Sequence, residues 1–126
     1  MSERTSERIS EAEHAVMEVL WEDAPLTASE VHERIDPERG WTDRTVKTML
    51  SRLLSKGVLA HEEDGRRYLY RPAVERDAYV TGESRKLVDR LFGGRITPLV
   101  AHFADRDELT DEDIAEIEAL LKALRS

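Results

Sequence analysis

Between Thr42 and Arg71 the chain carries a pattern that few folds accommodate. Val46, Met49, Leu50, Leu53 and Leu54 fall at i, i+3, i+4, i+7 and i+8, which is one apolar stripe along a helix that must lie on a core. Thr42 supplies an N-cap, Asp43 complements the helix dipole in the first turn, and Gly57 ends the helix. Two strand-like runs follow at once, Val58-Leu59-Ala60-His61-Glu62 and Arg66-Arg67-Tyr68-Leu69-Tyr70-Arg71, on either side of Asp64-Gly65. Asp-Gly between two such runs is the strongest short-range hairpin signal a sequence offers. Pro72, with no N–H to give to a ladder, closes the second strand.

Two more helices precede the stripe. Ser10 with Glu13, and Thr27 with Glu30, have the S/T-x-x-E spacing of a capping box, in which each side chain satisfies the other residue's orphan backbone N–H. Val16, Val19 and Leu20 give the first helix its core face until Ala24-Pro25 stops it. Val31 and Ile35 do the same for a short second helix, and Asp36-Pro37 and Gly40 mark the loop beyond. Three helices and a hairpin is the order of a winged helix-turn-helix domain, placed here at about residues 9–73, with residues 1–8 a flexible polar N-terminus. The predicted fold class is mostly α with a small β-hairpin.

The formal net charge of −8 argues at first against a nucleic-acid partner. Its distribution reverses that argument. Residues 41–71 hold seven Lys/Arg against four Asp/Glu, a local +3 that leaves −11 for the remainder. On the third helix the face opposite the stripe reads Arg44, Thr45, Lys47, Thr48, Ser51, Arg52 and Ser55, without an acid. A helix fits the major groove, where Arg52 suits a bidentate pair with guanine, Thr45 and Thr48 a phosphate or a thymine methyl, and Arg44 and Lys47 phosphates. Any soluble helix has a polar face, but the hairpin adds Arg66, Arg67 and Arg71 beside Tyr68 and Tyr70, a cationic wing suited to the backbone or minor groove. Strand alternation sets Arg66, Tyr68 and Tyr70 on one face, so that one or both tyrosines belong to the core. The start of the second helix, Thr27-Ala28-Ser29, is able to offer N–H groups to a phosphate, although capping alone explains Thr27. Trp21 and Trp41 each border a helix that needs covering and are read as packing residues.

Residues 74–126 read as acidic helices. One runs from about Val74 to Phe92 with Val80, Leu87 and Leu91 as its seam and Gly82 as a weak point, until Gly93-Gly94 breaks it. Thr97-Pro98 reads as an N-cap with proline at the first helical position. Thr110 with acids at 111–113 caps a last helix whose Ile114, Ile117, Leu121 and Leu124 fall at a and d spacing. Helices this few and this short do not bury their stripes alone. A second copy of the chain would cover them, making this a homodimerisation domain. The alternative is packing back onto the winged helix.

Other classes are poorly served. Without cysteine there is no disulfide, zinc finger or thiol-based redox or copper site. His14, His32, His61 and His102 lie on separate elements without metal-ligand spacing, and there is no Gly-rich phosphate loop. Neither an enzyme nor a cofactor nor a metal centre is expected. No run approaches the ~18–20 apolar residues of a membrane span, so no membrane insertion is expected. Met1 to Arg8 lacks a signal-peptide hydrophobic region, which predicts a cytoplasmic protein.

Further residues tie these features to a known family. Ile9-Ser10-Glu11-Ala12-Glu13 through Val16-Met17 to Leu20-Trp21, Thr45-Val46-Lys47-Thr48, Arg52-Leu53, Lys56-Gly57-Val58-Leu59, and Gly65-Arg66 with Tyr68, Tyr70 and Pro72 resemble the penicillinase repressor (BlaI/MecI) family. So do Leu91-Phe92-Gly93-Gly94, Leu99-Val100, Phe103 and the acidic last helix, so the resemblance covers nearly the whole chain. It implies a homodimeric transcriptional repressor of palindromic double-stranded DNA operators at β-lactamase or related resistance genes. It also implies that Thr45, Lys47, Thr48 and Arg52 face DNA and that Arg66 to Tyr70 form the wing. The best-known members are inactivated by a membrane sensor-protease system that cuts before a phenylalanine of the dimer segment. The matching bond here is His102–Phe103, with histidine where those members have asparagine. A copper-responsive branch uses C-terminal cysteines, which this chain lacks. Two rival readings are a winged helix serving as a protein–protein interaction module, which leaves the basic face without purpose, and a metal-responsive regulator with His and carboxylate ligands.

Overall fold

The computed structural model describes residues 9–126; the segment expected to be flexible, residues 1–8, lies outside them. The chain divides into two compact units, one through Tyr79 and one from Val80 to Ser126.

The first unit holds α1 (Glu11–Glu22), α2 (Ala28–Arg34), a 3-10 turn (Pro37–Arg39), α3 (Asp43–Ser55), the strands β1 (Leu59–Asp64) and β2 (Arg67–Pro72), and the first residues of α4 (Arg76–Leu91). This is the winged helix order. Both N-terminal capping boxes form: Ser10 Oγ accepts from Glu13 N at 3.1 Å while Glu13 Oε1 accepts from Ser10 N at 2.9 Å, and Thr27 and Glu30 do the same at 3.1 and 2.8 Å. The core joins Val16, Met17 and Leu20 of α1, Val31 of α2, and Val46, Leu50 and Leu53 of α3, sealed by Leu26, Ile35, Val58 and Leu59. Met49 and Leu54, at the margin of the α3 stripe, are only half-buried.

One buried carboxylate sits in that core. Glu13, 2% exposed, receives Lys56 Nζ at 2.6 Å, which ties the first turn of α1 to the end of α3. Gly57, at φ 79°, follows Lys56, and the Gly57 and Val58 amides donate back to Leu54 O at 3.1 Å and Leu53 O at 3.3 Å. This ending needs the left-handed conformation that glycine supplies without strain. It turns the chain directly into the hairpin.

The strands pair antiparallel from Leu59↔Pro72 to Asp64↔Arg67, so the two-residue loop is Gly65-Arg66, one residue later than the Asp64-Gly65 signal suggests. Gly65 has φ 67° while Arg66 keeps a negative φ, as in the hairpin turn with glycine at its first central position. Asp64 instead ends β1 and accepts from Arg67, at 3.0 and 3.2 Å. A bridge unmarked by sequence periodicity adds a third edge, with Tyr70 N donating to Leu26 O at 2.7 Å and Leu26 N to Tyr70 O at 3.1 Å. It draws Tyr70 against the core while Tyr68 stays 43% exposed, so one of the two tyrosines packs inward. Trp21 also packs on the core, and its Nε1 donates to Val74 O at 2.9 Å.

The second unit holds the rest of α4, α5 (Ile96–Asp105) and α6 (Asp111–Arg125), the last opened by a capping box between Thr110 and Asp113. α5 begins earlier than the Thr97-Pro98 signal indicates: its N-cap is Arg95, without a side-chain cap, and Thr97 and Pro98 lie inside the first turn. Proline fits there because the first-turn N–H groups have no intrahelical acceptor in any case. Among the described residues of this unit Val88 alone is buried. Val80, Leu87, Leu91, Ile96, Val100, Phe103, Ile114, Leu120, Leu121 and Leu124 are all exposed, Leu124 by 81%, and Ile117 is half-buried. No helix among the described residues is long and apolar enough to cross a membrane.

Candidate nucleic-acid interface

Burying one face of α3 turns the other outward. Arg44, Lys47, Thr48, Ser51 and Arg52 are exposed and, with Asp43, line a shallow groove of about 610 Å³ along the helix. Lys47 also lines a cleft of about 370 Å³ bounded by Thr27, Ala28 and Ser29 on one side and by Arg66, Arg67, Tyr68 and Tyr70 on the other. One lysine thus joins helix face and wing into a continuous surface of the first unit.

Ion pairing separates working cations from structural ones. In the first unit Arg34 pairs with Asp23, Arg39 with Glu11, Lys56 with Glu13, Arg67 with Asp64, Arg71 with Glu62 and Arg76 with Glu18. Arg44, Lys47, Arg52 and Arg66 have no ion-pair partner among the described residues, and all four lie on α3 or at the hairpin tip. The wing is less cationic than its arginines suggest, because Glu62, Glu63 and Asp64 of β1 balance Arg66, Arg67 and Arg71. The local excess therefore belongs to α3. The two wing pairs are exposed, at 3.0 Å each, and such pairs contribute little, ~0–1 kcal/mol. A phosphate oxygen can replace either carboxylate at small cost.

The hydroxyls are partly committed. Thr48 Oγ1 donates to Arg44 O at 3.0 Å, and Thr45, half-buried, has its hydroxyl 3.2 Å from that of the N-cap Thr42. What Thr48 has left for a ligand is its methyl group and lone pairs. Tyr68 lies tilted against His61, ring centroids 4.5 Å apart, on the same face of the hairpin as Tyr70 but farther from the core. Burial pushes the Tyr70 phenol above its ordinary value, with Tyr68 adding to the effect, consistent with a packing role for Tyr70.

One contact that residue spacing does not foretell fixes the turn between α2 and α3. His32 of α2 places Nε2 2.7 Å from Trp41 O and Nδ1 2.6 Å from Asp43 Oδ1. Trp41 itself rests against the core under the Arg39 guanidinium, 5.0 Å from its ring centroid.

Residues 9–123 match the profile of the penicillinase repressor family. The chain belongs to the penicillinase repressor family. Family members are transcriptional repressors and not enzymes. The penicillinase repressor of Bacillus licheniformis is 32% identical over 115 residues, spanning 91% of this chain and 90% of that protein. The methicillin resistance regulatory protein MecI of Staphylococcus aureus (strain N315) is 27% identical over 121 residues, or 96% of this chain and 98% of that one. Among solved structures, the DNA binding domain of the repressor BlaI superposes with a TM-score of 0.50 at 36% identity, over 55% of this chain and 84% of that domain. In this penicillinase repressor family member the expected DNA-facing residues Lys47, Thr48 and Arg52 line one groove of α3 with the wing beside it, whereas Thr45 is half-buried at the helix start and does not line that groove. The seam residues Val80, Leu87, Leu91, Ile114, Ile117, Leu121 and Leu124 all belong to the second unit.

Proposed function

We propose that the chain is a homodimeric transcriptional repressor in which each protomer reads half of a palindromic double-stranded DNA operator, at β-lactamase-type or related resistance genes. The observation that carries this reading is that, among the described residues of the first unit, the cations without an ion-pair partner, Arg44, Lys47, Arg52 and Arg66, cluster on α3 and the hairpin tip. Within the winged helix, cations left over by ion pairing are where the phosphate backbone is drawn. Arg52, Thr48, Lys47 and Arg44 serve the groove; Arg66, Arg67 and Tyr68 serve the wing; Tyr70 supports the wing from the core side.

The dimer half of the reading is supported by the second unit, which among its described residues leaves ten large apolar side chains exposed and buries only Val88, and is acidic, as suits a part that pairs with its own copy away from DNA. A membrane sensor-protease acting at His102–Phe103 belongs to the same reading. That bond lies inside α5 with Phe103 40% exposed, so cutting requires α5 to unwind locally first.

Footprinting on the DNA around the chain's own gene tests the proposal. The expected result is symmetric protection of two half-sites whose centres lie about 34–36 Å apart, or a multiple of that. Protection of a single unpaired site would overturn the dimeric reading. Absence of protection on every such fragment would overturn DNA binding itself.

A further inference from the structure

We propose that His32 is a positioning residue for α3, holding the entrance of that helix in place only while its imidazole carries both protons, so that operator affinity depends on pH through this one side chain. The inference rests on the reading of α3 as the DNA-contacting helix. Both ring nitrogens face oxygen atoms that only accept: Nε2 lies 2.7 Å from the Trp41 carbonyl and Nδ1 2.6 Å from the Asp43 carboxylate. A neutral imidazole has one N–H and satisfies one of them; an imidazolium has two and satisfies both. At these distances the loss of one proton sets lone pair against lone pair, and the ring or its partner has to move. The side chain is 34% exposed, so the proton exchanges with solvent without unfolding.

The charged groups around the ring do not replace this link. From α3 the facing group is Asp43. From the 3-10 turn, Arg39 is held by Glu11 and lies over the Trp41 ring, while the Asp36 carboxylate accepts from Glu38 N at 3.0 Å. On α2 itself Arg34 pairs with Asp23. Asp43 also lines the α3 groove beside Arg44 and Lys47. Releasing it has two effects in the same direction: the α2–α3 turn loosens, and a carboxylate no longer neutralised by the imidazolium stands where a phosphate is to come.

The test is a set of pH profiles at fixed ionic strength, measured by fluorescence anisotropy with the full chain and a DNA fragment from upstream of its own gene. Wild type is compared with His32→Gln and Asp43→Asn. From about pH 5.5 to about pH 8, where histidine side chains change charge, wild-type affinity should fall about tenfold more than that of H32Q. D43N should follow the shallower profile and keep its affinity at high pH, because an amide N–H2 can donate to the neutral Nδ1 while Nε2–H holds Trp41 O. Parallel profiles for all three proteins would overturn the proposal, and so would a D43N profile as steep as wild type if H32Q fails to fold. If no protein binds DNA, the functional reading fails separately. The link is then decided in the free protein by amide-exchange protection of residues 44–46, which should decline with rising pH in wild type but not in D43N; equal decline in both would overturn it.

Discussion

A protein with Leu121→Lys and Leu124→Lys should remain folded, sediment as a monomer, and bind a two-half-site operator about 10²–10⁴ times more weakly than wild type. The factor is the one lost when a second contact stops being intramolecular. Leu121 and Leu124 are 54% and 81% exposed on α6, so lysine there costs the isolated chain little, and near a helix C-terminus its charge favours the helix dipole. The added charges would, if anything, strengthen attachment to DNA. A large loss of affinity could therefore come only from loss of the second protomer. An unchanged dimer with unchanged affinity would move the interface away from α6, to the α4 seam of Val80, Leu87 and Leu91 or elsewhere.

The second large effect lies in the core. Lys56→Met should destabilise the first unit by about 3–5 kcal/mol, the usual cost of removing one partner of a buried ion pair, measured by urea denaturation near neutral pH. Burial raises the Glu13 carboxyl, but the Lys56 ammonium and the Ser10 amide more than offset that and hold it below the ordinary carboxylate range. A carboxyl depressed in the folded state contributes stability above its unfolded value and loses it as pH falls through the folded one. In K56M burial is opposed by the Ser10 amide without the ammonium, so the deficit against wild type should shrink on acidification, as Glu13 takes up a proton. Glu13→Gln combined with Lys56→Met should recover most of the loss, since a neutral amide can still accept from Ser10 N. A K56M deficit below about 1 kcal/mol at neutral pH, well short of what an uncompensated buried charge costs, would mean that the pair does not hold α1 to α3.

Most of the first unit was legible in the sequence because its signals are local. The capping boxes at Ser10 and Thr27, the N-cap at Thr42 and the stripe from Val46 to Leu54 each fix an element through residues within two turns of one another. The shortfalls came where a decision is made elsewhere in the chain. Asp64-Gly65 marked the hairpin, but the register that buries Leu59 and pairs Asp64 with Arg67 moved the loop to Gly65-Arg66. Tyr70 turned inward because Leu26, far upstream, bridges to it. Glu13 read as a capping residue and is one, yet its tie to Lys56 spans 43 positions and no periodicity announces it. α5 started at Ile96 without a side-chain cap, so the polar Thr97 ahead of Pro98 was a plausible but mistaken beginning.

The candidate site was legible in its location more than in its electrostatics. Counting charge found the basic segment, and helical spacing put Arg44, Lys47, Thr48 and Arg52 on one face. Counting did not show that Arg67 and Arg71 are tied to acids of the same hairpin, which leaves α3 as the main source of positive charge. Nor did the position of His32, on the polar side of a short helix, show that it spans two acceptors across the helix-turn-helix corner.

The central claim, that α3 and the wing bind DNA through these cations, is tested most directly by the salt dependence of operator affinity in wild type and three variants. Log K should fall linearly with log salt, and Lys47→Ala and Arg66→Ala should each lower the slope by roughly 0.9 for the phosphate contact removed. Arg52→Ala should instead reduce discrimination between operator and unrelated DNA by about 1–3 kcal/mol. Salt-independent binding, or slopes and discrimination identical in all four proteins, would contradict the account.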